Sequence, residues 1–262
     1  MKNYKFLTSN NTNNFILSNK SYSTSIKNYF TFLDSDFYTI TDPMIAGSFI
    51  LRNLFSKDSP YEDIDFYFKT EKQRDVANQF FEEISVSFNE TKFATTYSIG
   101  TRLKIQVIKE VYPTPISLIS SFDITPAMIC FEPKSESFTY EIGCLYSWYR
   151  KIITLNKTPL FDFFPLDTSN YLEAFLYFNL LSRRIKKYSE RYNFTIDPDL
   201  IKKLLFISQE ISTFTKSNLI KYTYFITNSS GIKSQIKIDS SNIDSYLESL
   251  IGSKNEEKTI LS

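Results

Sequence analysis

The chain contains no histidine. This excludes Ser-His and Cys-His nucleophilic machinery, histidine acid–base catalysis and histidine-ligated metals. Its two cysteines, Cys130 and Cys144, are too few for a structural zinc site and do not form a close pair. A reduced, cytosol-like compartment is expected. Charge of one sign is also lacking: 30 basic against 29 acidic residues give a net charge of +1, so no global field marks a protein that coats nucleic acid. No apolar run approaches the ~20 residues of a membrane span, and the opening M-K-N-Y-K-F-L-T-S-N-N-T-N-N has no apolar signal-peptide core. No membrane association is expected. Glycine is scarce, with five residues in 262, against a usual share of about 7%. A glycine directly before Ser48 in so glycine-poor a chain marks a place where the backbone needs one.

What is present is a large stock of core-forming residues. Apolar residues make up 42% and aromatics 17%, with 25 Phe, 18 Tyr and a single Trp. That suffices for one large or two modest domains. The richness in Lys, Asn, Ile, Phe and Tyr points to an A/T-rich coding genome, such as that of a phage or a low-GC microbe.

Along the chain, residues 1–23 are rich in Asn and Ser and read as an irregular lead-in. A helix is predicted over Thr24–Leu33, extended chain over Phe37–Ala46 with a turn at Asp42-Pro43, a short helix over Ser48–Phe55 and a strand over Glu62–Phe68. Thr70 and Gln73 form a capping-box pattern, so a helix runs to Ile84 with Val76, Phe80 and Ile84 on one stripe. Strands follow at Ser85–Phe88, Lys92–Ser98 and Leu103–Glu110, then a turn at Tyr112–Pro115, a short helix at Ile116–Ser121 and a strand over Phe122–Phe131. The second half is helical. Tyr171, Ala174, Phe178, Leu181, Ile185 and Tyr188 recur at spacings of three and four, a helix over Asp199–Phe214 follows Asp197-Pro198, and Leu219–Ile238 reads as a hairpin around Asn228–Gly231.

One constellation carries chemistry. Gly47-Ser48 falls at a strand-to-helix junction, where helix N–H groups make an anion site. Asp63 and Asp65 lie two apart on an apolar strand, so both face one way and Ile64 the other. Two converging carboxylates are costly unless a cation lies between them. Metal plus phosphate points to phosphoryl or nucleotidyl chemistry. Taken singly, each feature also has a plainer reading: a solvated strand face, or an Arg52 that merely pairs with Asp58 or Glu62. The basic cluster Arg183, Arg184, Lys186, Lys187 and Arg191 reads equally as a solvated helix face or as a phosphate groove.

Gly47-Ser48, Arg52 four residues on, and Asp63-Ile64-Asp65 together resemble the first motif of the nucleotidyltransferase superfamily, the fold shared by DNA polymerase beta, CCA-adding enzymes and poly(A) polymerases. The likeness extends to Lys104–Ile108, to Ser121-Phe122-Asp123-Ile124-Thr125 and to Arg184-Ile185-Lys186-Lys187-Tyr188, spans residues 40–195, and is nearest to a viral or phage-type branch. It implies an α+β fold: a polymerase beta-like mixed sheet with flanking helices over 24–155, then a mainly helical region with a hairpin over 156–262.

The resemblance further implies transfer of a nucleoside monophosphate from an NTP to a hydroxyl, with Mg²⁺ or Mn²⁺ in a two-ion site and release of pyrophosphate. Asp63, Asp65 and a third acid would be both catalytic groups and metal ligands. Gly47, Ser48 and Arg52 would bind the phosphates, joined by Arg184 and Lys187. The family's third acid stands between apolar residues on a strand, which Phe122-Asp123-Ile124 fits; Gln106, between Ile105 and Val107, is the rival position and would leave the chain without that acid. Expected partners are the NTP and an acceptor, an RNA or tRNA 3′ end first and a protein side chain second, in a host cytoplasm or a virion. Two other readings stand beside it: a catalytically silent nucleotidyltransferase fold serving a larger assembly, and an RNA-binding protein using only the basic helix.

Overall fold

The computed structural model describes residues 6–8, 14–18, 26, 30, 32–55, 63–100, 103–156, 163–227 and 233–252. They fall into two compact units that divide between Lys151 and Ile152.

The first unit is built on a nine-stranded sheet in the order β1-β2-β9-β8-β3-β4-β7-β6-β5. The strands are β1 Phe6–Thr8, β2 Asn14–Ser18, β3 Met44–Ala46, β4 Ile64–Phe68, β5 Ser87–Glu90, β6 Ala94–Ile99, β7 Leu103–Val111, β8 Ile129–Glu132 and β9 Ser137–Glu141. All neighbours are antiparallel except β4 and β7, which run parallel. β4 is therefore central, with Ile64, Phe66 and Phe68 wholly buried on one face and Asp65 and Tyr67 half-buried on the other.

Helices cover the buried face: α1 Ser35–Thr41, α2 Ser48–Phe55 and α3 Glu71–Ile84. The packing there is aromatic. Phe66 meets Phe30 and Phe81 with ring centroids 5.5 Å apart in each pair, Phe30 meets Phe49 at 5.4 Å, and Phe37 meets Phe81 at 5.4 Å. These are edge-to-face contacts, which add about 0.5–1.5 kcal/mol each beyond the area they bury. Thr70 caps α3 by accepting from the Gln73 N–H, as the capping-box pattern requires.

Lys69, which follows β4, joins Asp42 at 2.7 Å and Glu132 at 3.0 Å, so one cation ties the end of α1, the central strand and β8 together. Burial lowers the Lys69 pKa, but the hydrogen bonds and charges of Asp42 and Glu132 outweigh that, and the net shift is upward. A pKa raised on folding gives stability that is complete below the unfolded value of about 10.4 and is lost as pH rises through the folded value. Lys69→Met should therefore cost about 1 kcal/mol at pH 7 and progressively less above pH ~10.4. Urea titrations at the two pH values, read by the fluorescence of Trp148, check this. An equal cost at both would exclude the ion bridge as the cause.

Several elements differ from expectation. Residues 6–8 and 14–18 form strands inside the stretch read as irregular. Phe37–Ala46 is not extended throughout: Asp34 caps α1 by accepting from the Phe37 N–H, and only Met44–Ala46 is strand. The buried stripe of α3 is Ala77 and Phe81, one position along from Val76 and Phe80, while Ile84 is exposed. Several elements have no predicted counterpart: the strand β9, the helix α5 Ile142–Arg150, the short strands Ile152–Ile153 and Thr195–Ile196, and the helix Ile243–Ile251. The helix expected at Thr24–Leu33 lies mostly outside the described residues.

The second unit pairs β10 Ile152–Ile153 with β11 Thr195–Ile196 in parallel, and β12 Tyr222–Thr227 with β13 Lys233–Ile238 in the expected hairpin, whose turn lies outside the described residues. Its helices are α6 Tyr171–Tyr192, α7 Pro198–Ser217 and α8 Ile243–Ile251. Every residue of the predicted α6 stripe, from Tyr171 to Tyr188, is buried. Tyr171 stacks on Phe214 of α7 at 4.8 Å, and Asp197 caps α7 by accepting from the Asp199 and Leu200 N–H groups. Among the described residues no helix is long and apolar enough to cross a membrane.

Candidate functional site

The site begins where β3 ends. Ala46 is the register partner of Asp65 on β4, and the chain then turns at Gly47 into α2. Gly47 has φ +79°, in the left-handed region that side chains avoid. A Cβ placed on it would lie 2.3 Å from Asp65 Oδ2. The backbone thus needs glycine twice over, for its conformation and for room beside a carboxylate. Ser48 opens α2 and is buried, and Leu51 donates its N–H to the Gly47 carbonyl at 3.3 Å. Arg52 is half-buried one turn later; Asp58 and Glu62, its alternative partners, lie outside the described residues. Asp63, just before β4, is half-buried and two positions from Asp65.

On the other side of β4, the parallel partner of Asp65 is Gln106 of β7, which is also half-buried. Register partners share a face, so the strand position beside Asp65 holds an amide and no acid. Asp123 is not on a strand, contrary to expectation. The short helix α4 Pro115–Ser120 starts with Thr114, which accepts from the Ser117 N–H, and closes with Ser121 and Phe122 donating to Leu118 and Ile119 carbonyls. Asp123 follows in a bend and is buried. Thr125–Ala127 then make a 3-10 turn containing Pro126, which has no N–H for a ladder, so β8 starts only at Ile129. The neighbour of Asp123 does reach β4: the Phe122 ring meets the Tyr67 ring at 6.2 Å.

Among the described residues, no three of the Asp, Glu and Cys side chains stand close enough to hold one metal ion. Both cysteines are free and buried, and burial raises both thiol pKa values, so neither is a ready nucleophile. Arg184 and Lys187 belong to α6 of the second unit, Arg184 exposed and Lys187 half-buried. In that unit, Lys186 pairs with Glu190 at 3.9 Å and Arg183 hydrogen-bonds Tyr246. Tyr188 is core, as its place on the stripe implies.

A mixed sheet with flanking helices, with the Gly-Ser turn leading out of β3 beside Asp65 on the neighbouring central strand, has the nucleotidyltransferase fold. A CCA-adding enzyme in complex with CTP superposes with a TM-score of 0.52 at 14% identity, covering 76% of this chain and 47% of that one. The Thermotoga maritima CCA-adding enzyme complexed with tRNA gives 0.49 at 14% identity, over 73% and 47%. The chain belongs to the Gabija anti-defense 2 family, whose sequence model matches residues 20–151. It is 27% identical over 169 residues to Gabija anti-defense 2 of Bacillus phage SPbetaL7, an alignment covering 63% of this chain and 37% of the relative. It therefore spans less than half the length of these relatives.

Proposed function

We propose that this chain is a metal-dependent nucleotidyltransferase that moves a nucleoside monophosphate from an NTP to a hydroxyl and releases pyrophosphate. The observation that carries the reading is the fit of Gly47 against Asp65: no Cβ fits between the turn that opens α2 and that carboxylate. A strand-to-helix turn needs no such clearance. A turn that offers phosphate to a metal-binding carboxylate does.

The donors suit a hard divalent cation, since Asp63 and Asp65 offer carboxylate oxygens from alternate positions of one half-buried face. Bound there, Mg²⁺ or Mn²⁺ supplies charge neutralisation at the phosphoryl group and acidifies the attacking hydroxyl. The remaining work falls to the chain. Ser48 and the first N–H groups of α2 hold the leaving phosphates, and Arg52, one turn on, adds its planar fork. Asp123 is the residue proposed as the third acid; it is buried in its bend and forms no three-acid cluster with Asp63 and Asp65, so this role requires the carboxylates to draw together around a bound ion. In the second unit, Arg184 and Lys187 are proposed as basic groups for phosphate, such as the backbone of an acceptor. An RNA 3′ end is the first acceptor class and a protein side chain the second. Family membership supports a role against the Gabija defence, exercised in the host cytoplasm.

The test is transfer from labelled NTPs to RNA and protein acceptors with Mg²⁺ or Mn²⁺. Replacing Asp63 and Asp65 by Ala together should lower transfer by a factor on the order of 10³, and Asp123→Asn should lower it as well. Equal transfer by the double variant would exclude the reading. A second reading is favoured by Gln106 beside Asp65: a silent fold that binds NTP without turning it over. Micromolar NTP binding with no transfer to any acceptor, and no effect of Asp123→Asn, is the result it expects.

A further inference from the structure

The face of β4 that carries Asp63 and Asp65 continues to Tyr67, the next residue in the same alternation. Tyr67 is not alone there. Its ring meets Tyr112 at 6.0 Å and Phe122 at 6.2 Å, both edge-to-face, and all three residues are half-buried, whereas the aromatics of the opposite face are fully buried. The surrounding backbone is shaped around this point. The β4–β7 register shifts between Phe66, opposite Val107, and Phe68, opposite Val111, so β7 bulges beside Tyr67. Bulges re-aim side chains and end pairing next to working sites. Tyr112 follows the bulge and donates its N–H to the Phe68 carbonyl at 2.9 Å. Phe122 is fixed from the other side by its N–H, which closes α4 on the Ile119 carbonyl at 3.3 Å.

Order along the strand gives the cluster a role. Since Ala46 pairs with Asp65 in an antiparallel ladder, the Gly47-Ser48 turn lies towards the Asp63 end of β4, and Tyr67 lies towards the other end. Passing along the face, one meets the anion-binding turn, the two carboxylates and then the aromatic cluster. A nucleoside triphosphate presents the same sequence of chemistries: phosphates, the reacting α-phosphate, and a flat base.

We propose that Tyr67, Tyr112 and Phe122 form the base-stacking platform of the site and position the nucleobase of the incoming nucleoside triphosphate. The inference rests on the nucleotide-binding reading above and adds to it the residues that engage the base. Stacking on aromatic rings tolerates every base because each has a π-face, so the platform supplies affinity for nucleotides as a class with little choice among the four. The three are positioning residues; none touches the reacting phosphoryl group in this scheme.

The experiment is calorimetric titration of the full chain with Mg²⁺ and each of ATP, GTP, CTP and UTP, and separately with inorganic tripolyphosphate. Tyr67→Ala and Phe122→Ala should each weaken all four nucleotides about tenfold, the loss of one base–aromatic stack, and leave tripolyphosphate affinity within twofold. Tyr67→Phe, which keeps the ring, should bind nucleotides as the parent chain does. Circular-dichroism melting of the same samples separates unfolding from a lost contact. A parallel loss for tripolyphosphate in a folded variant, or unchanged nucleotide affinity in Tyr67→Ala, would overturn the platform. If the parent chain binds tripolyphosphate as tightly as ATP, the platform fails while the phosphate site stands. If it binds neither, both readings fall.

Discussion

Replacing Gly47 by alanine should lower nucleotide transfer by a factor on the order of 10² while leaving a folded protein. The substitution meets two obstacles of different kinds. The first is conformational: φ +79° costs a non-glycine residue about 1–2 kcal/mol. The second is steric: the new Cβ falls 2.3 Å from Asp65 Oδ2, so the carboxylate or the turn must move. Displacement of a catalytic group by about 1 Å can cost on the order of 10² in rate. Gly100 supplies the matched control. It also has a positive φ, +59°, but a Cβ there would meet nothing within 4 Å. Gly100→Ala should therefore lose similar stability and retain nucleotide affinity and transfer. Measured side by side, the two variants separate backbone strain from loss of the site. If Gly47→Ala and Gly100→Ala bind NTP equally well, the clearance beside Asp65 has no functional meaning.

The largest stability effect is expected at Phe66. It is wholly buried behind the carboxylate face and touches Phe30 and Phe81 edge-to-face. Phe66→Ala should cost about 3–5 kcal/mol, the transfer term plus the cavity left among rings that cannot close on it. The chain offers a convenient probe, because its single tryptophan, Trp148, is buried in the same unit, where its indole N–H donates to the Pro126 carbonyl at 2.9 Å. Denaturant unfolding followed by that fluorescence should show the midpoint fall sharply. An effect below about 1 kcal/mol would mean that the helices are not held to the sheet through this ring. Alternation of side chains makes β4 a two-sided element: Phe66 sets stability from behind, and Asp65 lies on the opposite face.

Much of this was legible in the chain for physical reasons. β4 alternates because one face is core and the other is not, and that alternation both named the strand and paired Asp63 with Asp65. In a glycine-poor chain Gly47 stands out, and the structure gives it a reason in the Asp65 carboxylate, 2.3 Å from where a Cβ would lie. The α6 stripe was readable because each of its residues is buried in one unit. The failures have causes of equal particularity. Apolar residues of α1 and β3 read as one extended run, because the Asp34 cap and the left-handed Asp42 that bound the helix leave no periodic trace over so short a span. The Phe122–Phe131 run was read as a strand because its residues are apolar, but Pro126 and the closing hydrogen bonds of α4 impose a bend. The parity that joins Asp63 to Asp65 extends to Tyr67, but parity alone does not show a cluster there. Its partners Tyr112 and Phe122 come from distant segments, a proximity that only the turn through α4 creates.

The single parallel pairing in the sheet has a consequence for synthesis. Asp65 acquires one strand neighbour from β3, which is already made, but the other, Gln106, lies about forty residues later in the chain. Closing so long a loop carries an entropic cost that local hairpins do not. A nascent chain that has reached β6 has both aspartates and the Gly47 turn in hand, yet its central strand still has an open edge. The constellation near the start of the sequence thus waits for β7 before its central strand is paired on both sides, and a fragment that stops before β7 should hold neither nucleotide nor metal.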